Sequence, residues 1–409
     1  MRLKTAAALS LNAAFLAFLI GCQSDQDAVE PAPDCLVKAA STNGQVVPGS
    51  YLVTYKTEEL PVAPGARVGA GFEMLLTRNR LADPNAQVLF SGKETSFLAH
   101  LSAREAEQLK ADPAVELVEP DRIISMCSCV DVQATTTVTW NIRQTGFGRG
   151  DLNINLQKTA WILDTGIDQD HPDLNVDTGR SRSFVTGKTP EDENGHGTHI
   201  AGIIGAKNNS IGVTGVASGA RLVALKVLDN EGEGRLSVLV QAVTHVYQNG
   251  KAGDVVNISI GGEGTSATLE RVIRQTADRG IYFAIAAGNE GESTEKYSPA
   301  NIDHANVFTV SAMDRNDNFA SFSNYGPDVD VCAYGVRISS TYKDGGYATL
   351  SGTSMATPHV AGLLLIRGRS IPTDGYVNND PDGQADPIAR EAANKQNGRK
   401  PGHFAFTFL

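Results

Sequence analysis

The sequence is poor in positive charge, in cysteine and in long apolar runs. Lys and Arg number 35 against 46 Asp and Glu, a formal charge of −11. A nucleic-acid binder needs the opposite balance to neutralise phosphates, so that class is set aside. The five cysteines include no C-x-x-C pair, so a cysteine metal site is not indicated. Beyond residue 20 no segment is long and apolar enough to span a bilayer. The 41 glycines follow no G-x-y period, which excludes collagen, and there is no internal repeat. What is present is a 41% hydrophobic fraction in 409 residues, enough for one large domain and a smaller one.

The N-terminus reads as an address. Met1-Arg2-Leu3-Lys4 is basic and Ala6 to Ile20 is apolar, the length of a signal h-region. Leu19-Ile20-Gly21-Cys22 resembles the bacterial lipobox. That resemblance implies a signal peptide over residues 1–21 and lipid attachment at Cys22, each acyl CH₂ adding about 0.8 kcal/mol of membrane affinity. Gln23, where an Asp would signal retention, implies an exported lipoprotein of the outer membrane or cell surface. Residues 22–49 are expected to be a flexible tether. Cys35, Cys127, Cys129 and Cys332 allow three pairings; a bridge from Cys35 to Cys127 or Cys129 is favoured, with Cys332 a buried small hydrophobe.

Residues 50–124 read as a compact α+β unit. Tyr51 to Tyr55, Val88 to Phe90, Thr95 to Leu101 and Val115 to Asp121 are strand-like, and Ser102 caps a helical pattern reaching Asp112. Residues 125–138, rich in Ser, Cys and Thr, read as an exposed joint. From 139 to 390 apolar strands alternate with helical stretches: Ala160 to Leu163, Arg221 to Val227, Asp254 to Ile260, Tyr282 to Ala287 and Val307 to Ser311. That alternation predicts an α/β domain whose parallel sheet is covered on both faces, with its site at the carboxyl ends of the strands. Residues 391–409 are left as a C-terminal tail.

Three segments supply chemistry in combination. Asp164-Thr165-Gly166-Ile167-Asp168 follows a buried strand, Asn194-Gly195-His196-Gly197-Thr198-His199 opens a helix, and Gly352-Thr353-Ser354-Met355-Ala356-Thr357-Pro358-His359 opens another. A serine hydroxyl needs an imidazole to take its proton, and the imidazole needs a carboxylate to hold its tautomer. Ser354 N–H at a helix start and the Asn289 amide are candidate donors to an oxyanion.

Together these blocks resemble the subtilisin-like serine proteases over about Thr139 to Gly368. The resemblance implies a three-layer parallel sheet flanked by helices, and peptide-bond hydrolysis through an acyl-enzyme with Asp164, His196 and Ser354 as triad. It implies protein or peptide substrates, a monomer, residues 50–124 as an inhibitory propeptide of a zymogen, and residues 125–138 as its processing junction. It also implies a cleft. Ser259, Ile260 and Gly261 would form one pocket wall and Ala287 and Gly288 the other, with Gly232-Glu233-Gly234 as the substrate-pairing edge. Leu236 and Leu239 would line a second apolar pocket, and Glu290 would stand at the mouth, where it could admit a cationic residue. Structural Ca²⁺ is implied at Asp173 and Asn209, with carbonyls of Lys207, Ile211 and Val213, and Gln133 or Thr136 left open as a further ligand. Asp330 matches a second cation position, whereas Asp380, Asp382 and Asp386 read as a turn. After Gly368 the likeness fades, and Tyr334 replaces the usual proline. A non-catalytic adhesin on the same scaffold and a processing protease for one partner are the competing readings; the complete residue set opposes the first.

Overall fold

The computed structural model describes residues 42–60, 69–83, 85–126, 129–131, 138–146 and 157–392. Cys22, Cys35, Cys127, Gln133 and Thr136 lie outside them, and of Cys129 only the backbone is described. Among the described residues no helix is long and apolar enough to cross a membrane.

The apolar runs expected as strands do assemble into one sheet. Its spatial order is Thr373–Tyr376, Pro387–Ala389, Val331–Tyr334, Val307–Met313, Tyr282–Ala286, Val255–Ile258, Thr159–Asp164, Arg221–Lys226 and Arg182–Ser183. Neighbours run parallel except the terminal hairpin Thr373–Tyr376/Pro387–Ala389. Alternate residues of each strand serve opposite faces. Ile162, Ala224 and Ala284 share a buried cluster with Ile200 and Val360 of helices His196–Gly205 and Thr353–Arg367. Trp161, Val223 and Phe283 share the other with Leu239 and Val272 of helices Leu236–Asn249 and Ala267–Ala277. This is the three-layer α/β arrangement expected, and it aims strand ends and helix starts at one edge.

The smaller unit, here the leader, is an antiparallel sheet ordered Gln87–Ser91, Glu94–His100, Val46–Lys56, Val115–Ser125. Period-2 alternation again decides its packing. Val53 and Phe97 face helices Ala70–Arg78 and Ala103–Lys110, while Leu52, Phe90 and Leu98 join the large domain's cluster. Ser102 makes the expected cap, reciprocated by Glu105.

Two boundaries differ from expectation. The first strand starts at Val46, inside the stretch read as tether. The last continues to Ser125, which is buried rather than part of an exposed joint, because Ile123 to Ser125 pair with Glu233–Arg235 of the large domain. At the other end, the segment after Gly368 completes the sheet. Cys332 pairs with Ile388, and Arg390 Nη1 donates to the Tyr334 hydroxyl at 2.9 Å and to Asp317. Tyr334 thus anchors the terminal hairpin. Asp380 and Asp382 accept backbone N–H bonds of their own turn, as read. Burial, reinforced by Asp380 and Asp382, pushes the Asp386 carboxyl up to about 7. Cys332 is a free buried thiol.

Candidate active site

Asp164 closes the strand Thr159–Asp164, and His196 is the first residue of its helix. The two meet because the helix start lies directly on the turn after Asp164. A Cβ at Gly197 would stand 2.1 Å from the Gly166 carbonyl oxygen, so only glycine permits the approach. His196 Nδ1 sits 2.7 Å from Asp164 Oδ1, which also accepts the Thr165 N–H at 2.8 Å. Assigning the proton to Nδ1 leaves Nε2 as a proton acceptor. That atom is buried and has no partner among the described residues.

Asp192, which the sequence reading missed, braces this pair. Its Oδ1 accepts from Thr165 Oγ1, Asn194 N and Gly195 N, and its Oδ2 from Thr198 N and Oγ1. One carboxylate therefore caps the His196 helix and ties it to the Asp164 turn. Behind them Lys226 is fully buried, donates to the Thr165 carbonyl, and has its pKa lowered by burial. His199 and His359 are core residues whose burial lowers them to about 3 and about 4, so they stay neutral.

Ser354 lies in the first turn of helix Thr353–Arg367. Its Oγ donates to the Ser259 carbonyl at 3.0 Å, and Ser259 Oγ donates back to the Ser354 carbonyl at 3.0 Å. Passing its proton to His196 requires the hydroxyl to swing from Ser259 to Nε2. Asn289 Oδ1 accepts from Thr353 N at 2.8 Å and Thr353 Oγ1 at 2.9 Å, which fixes Nδ2 as the donor end of the amide. Glu290 lines the pocket with Asn289 and Ser354, and its carboxylate is bonded there. Its Oε2 accepts Asn289 N at 2.9 Å and Asn324 Nδ2 at 2.7 Å, and burial raises its pKa. The carboxylate is committed to shaping the Asn289 loop.

Ser259, Ile260, Gly261, Ala287, Gly288 and Asn289 line one pocket with Ser354; Tyr297, Ser298 and Ala300 also line it and were not foreseen. The leader strand runs along this cleft. Ser125 exchanges backbone hydrogen bonds with Gly261 at 3.2 and 3.4 Å, Ile124 pairs with Gly234, Ser125 with Glu233, and Met126 N–H donates to Gly232 O at 3.1 Å. Ile124 shares a buried cluster with Leu236 and Leu239. Further along, Cys129 pairs with Ser351, three residues before Ser354. With this strand in place His196 and Ser354 are each 1% exposed.

Further leader carboxylates bind two helix starts. Glu119 accepts from Ser266 Oγ, Ala267 N and Thr268 N, and Asp121 from Ser237 N and Oγ. Both complement a helix dipole. Arg271 pairs with Glu94 and Glu116, and Phe90 packs edge-on against Tyr247.

At the expected cation site, Asp173 is fully buried. Its Oδ2 accepts Val213 N at 3.0 Å and the Tyr347 hydroxyl at 3.3 Å, while Oδ1 has no partner among the described residues. Burial raises its pKa, and a bonded Asn209 side chain opposes that. Lys207 N–H donates to the Asp173 carbonyl, and Ile211 N–H to Asn209 Oδ1. Asp330 accepts Thr309 N at 2.8 Å and is pushed up to about 6 by burial beside Asp303 and Asp328. No group of three His, Cys, Asp or Glu among the described residues is placed to hold a metal.

Residues 161–368 match the model of the subtilase family. The chain belongs to that family. It is 41% identical to a thermostable alkaline protease of Halalkalibacterium halodurans, over 69% of this chain and 74% of that protein. It is 50% identical to subtilisin BL of Lederbergia lenta, over 52% of this chain and 76% of the other. A crystal structure of a cold-adapted subtilisin-like serine proteinase superposes with a TM-score of 0.52 at 32% identity, covering 63% of this chain and 99% of that one. As a subtilase, the protein is a serine endopeptidase acting on protein or peptide substrates.

Proposed function

We propose that Asp164, His196 and Ser354 are the triad of this endopeptidase, that Asn289 serves the oxyanion, and that the leader is its inhibitory propeptide. The observation carrying this reading is the leader strand Ile123–Met126, paired along the cleft and ending beside Ser354. Such pairing uses backbone groups and leaves side chains unread, which suits a broad peptidase.

In the reaction Ser354 Oγ gives its proton to His196 Nε2 and bonds to the substrate carbonyl carbon. The negative charge moves to the carbonyl oxygen, where Asn289 Nδ2 and Ser354 N–H donate. His196 then gives the proton to the leaving nitrogen as the C–N bond breaks, and an ester to Ser354 remains. Water, deprotonated by His196, attacks the ester and returns Ser354. Asp164 stays ionised throughout and stabilises the imidazolium.

The processing expectation narrows from 125–139. Ser125 lines one pocket with Ser354, Met126 is bonded to Gly232 and Cys129 pairs with Ser351, which supports cleavage between Met126 and Cys129. In purified wild type, N-terminal sequencing and intact mass should find a break between Met126 and Cys129, and Ser354→Ala should remain whole. A break elsewhere, or in both proteins, would contradict self-processing. The lipobox supports export with Cys22 as the anchor, a segment outside the described residues. Cleavage would then leave the lipid on the propeptide, freeing the catalytic part unless Cys35 is bridged past the cut.

Calcium fits at Asp173. A buried carboxylate oxygen without a partner among the described residues, near the Asn209 amide, is the donor set of a hard cation. Asp173, Asn209 and carbonyls of Lys207, Ile211 and Val213 would hold it, with Asp330 a weaker second position. Binding to the native state alone adds about 2.7 kcal/mol at a 100-fold excess over Kd. The melting temperature should rise with added Ca²⁺ and fall with EDTA, and Asp173→Ala should lose most of that response. Identical wild-type melting curves with and without Ca²⁺ would remove the cation from the account.

A further inference from the structure

The cleft gives the leader strand two edges only as far as Ser125. There it lies between Glu233 and Gly261; at Ile123 the catalytic domain offers Arg235 on one edge alone. The open edge is filled by the turn Thr42–Gln45, which the sequence reading assigned to the tether. Gly44 N–H donates to Ile123 O and Ile123 N–H to Gln45 O, both at 2.9 Å. Arg122 Nη1 donates to Gly44 O at 2.8 Å. The turn also reaches both walls of the cleft. Thr42 Oγ1 donates to Glu233 Oε1 at 2.7 Å on one side. On the other, a Cβ at Gly44 would stand 2.7 Å from the Glu263 carbonyl oxygen, and one at Gly262 3.1 Å from Asn43 Oδ1. Gly44 has φ +77°, a left-handed turn that glycine alone adopts without strain. Asn43 is itself part of the lining of the primary pocket.

We propose that Thr42–Gln45 is a second inhibitory segment, a clasp that closes over the propeptide's terminal strand and holds it in the cleft after the chain is cut. The proposal rests on the propeptide reading above and adds to it. A peptide substrate of identical sequence to Ile123–Met126 would meet only the enzyme's edges and leave after cleavage. The propeptide brings its own second edge, so the backbone of Ile123 is bonded on both sides and the strand departs slowly. Cutting the chain is then insufficient for activity; the clasp must also open.

The test follows the full chain over time, by mass for the cut and by hydrolysis of a small chromogenic peptide for activity. Wild type should be cut first and become active after a lag. Gly44→Ala, which drives a Cβ into the Glu263 carbonyl and disfavours the turn, should be cut at the wild-type rate with a lag about tenfold shorter. Thr42→Ala keeps the backbone and removes only the Glu233 contact; its lag should shorten about two- to threefold, and it decides the matter alone if Gly44→Ala does not accumulate. Mature specific activity should be unchanged in both, since the clasp is not part of the mature enzyme. A wild-type lag unchanged by these substitutions overturns the clasp while leaving the propeptide reading intact. A wild type active as soon as it is cut overturns the clasp, and a wild type active before it is cut overturns both.

Discussion

Ser354→Ala should lower turnover of a peptide substrate by about 10⁶ while the protein keeps its fold, a figure that belongs to subtilisins as a class and is carried over here. The reason is local. Ser354 Oγ is the hydroxyl held at the helix start beside the cleft, and the substitution removes its contact with the Ser259 carbonyl. The reciprocal bond from Ser259 Oγ goes to the Ser354 backbone carbonyl, so alanine retains it and the helix start stays tied down. Melting temperature should therefore move little while kcat collapses. The residual rate would come from the oxyanion donors and substrate binding alone. Turnover within tenfold of wild type by the folded variant would place the nucleophile elsewhere.

Asn289→Ala should lower kcat by about 10²–10³ with little change in KM, again the magnitude typical of losing one oxyanion donor in this class. The ground-state carbonyl gains little from the Asn289 amide; the charged tetrahedral oxygen gains much. Asn289 has a second task, however, because its Oδ1 accepts two bonds from Thr353, next to Ser354. Alanine removes both functions at once. Asn289→Asp separates them: it keeps an oxygen for Thr353 but has no N–H to donate and adds a negative charge. Its kcat should fall at least as far as that of the alanine variant. If aspartate restored most of the activity, Asn289 would act by positioning Thr353 rather than by donating to the oxyanion.

Residues whose chemistry is written into a short segment were legible before the fold. Asp164 follows a buried strand, and His196 and Ser354 open helices, so type and local context together give their place. What escaped depends on partners far along the chain. Asp192 is one acid among several in its loop until Thr165, Thr198 and the helix N–H groups converge on it. Glu290 reads as a free charge at the mouth until Asn324 supplies a donor that holds its carboxylate. Ile123 to Ser125 have no periodic signal for a strand end, because Glu233–Arg235 and Gly261 define that end. The hairpin of strands Ile338–Tyr342 and Gly346–Ser351 was missed as well; its Ser, Thr and Tyr alternate no clear apolar face, and its pairing, not its burial, makes it a strand. After Gly368 the polar composition hid a sheet edge that Arg390 and Tyr334 secure.

The central claim is that one serine, Ser354, carries the chemistry and that the leader strand shuts it away. A fluorophosphonate probe tests both parts in one measurement, because it bonds only to a serine that its own active site has made nucleophilic. Digestion and mass mapping should find the label on Ser354 of the processed, peptide-hydrolysing form. None should appear on unprocessed chain, in which Ser354 is 1% exposed beneath Ile123–Met126. Label on another serine, or labelling of Ser354 on unprocessed chain as strong as on the peptide-hydrolysing form, would contradict the account.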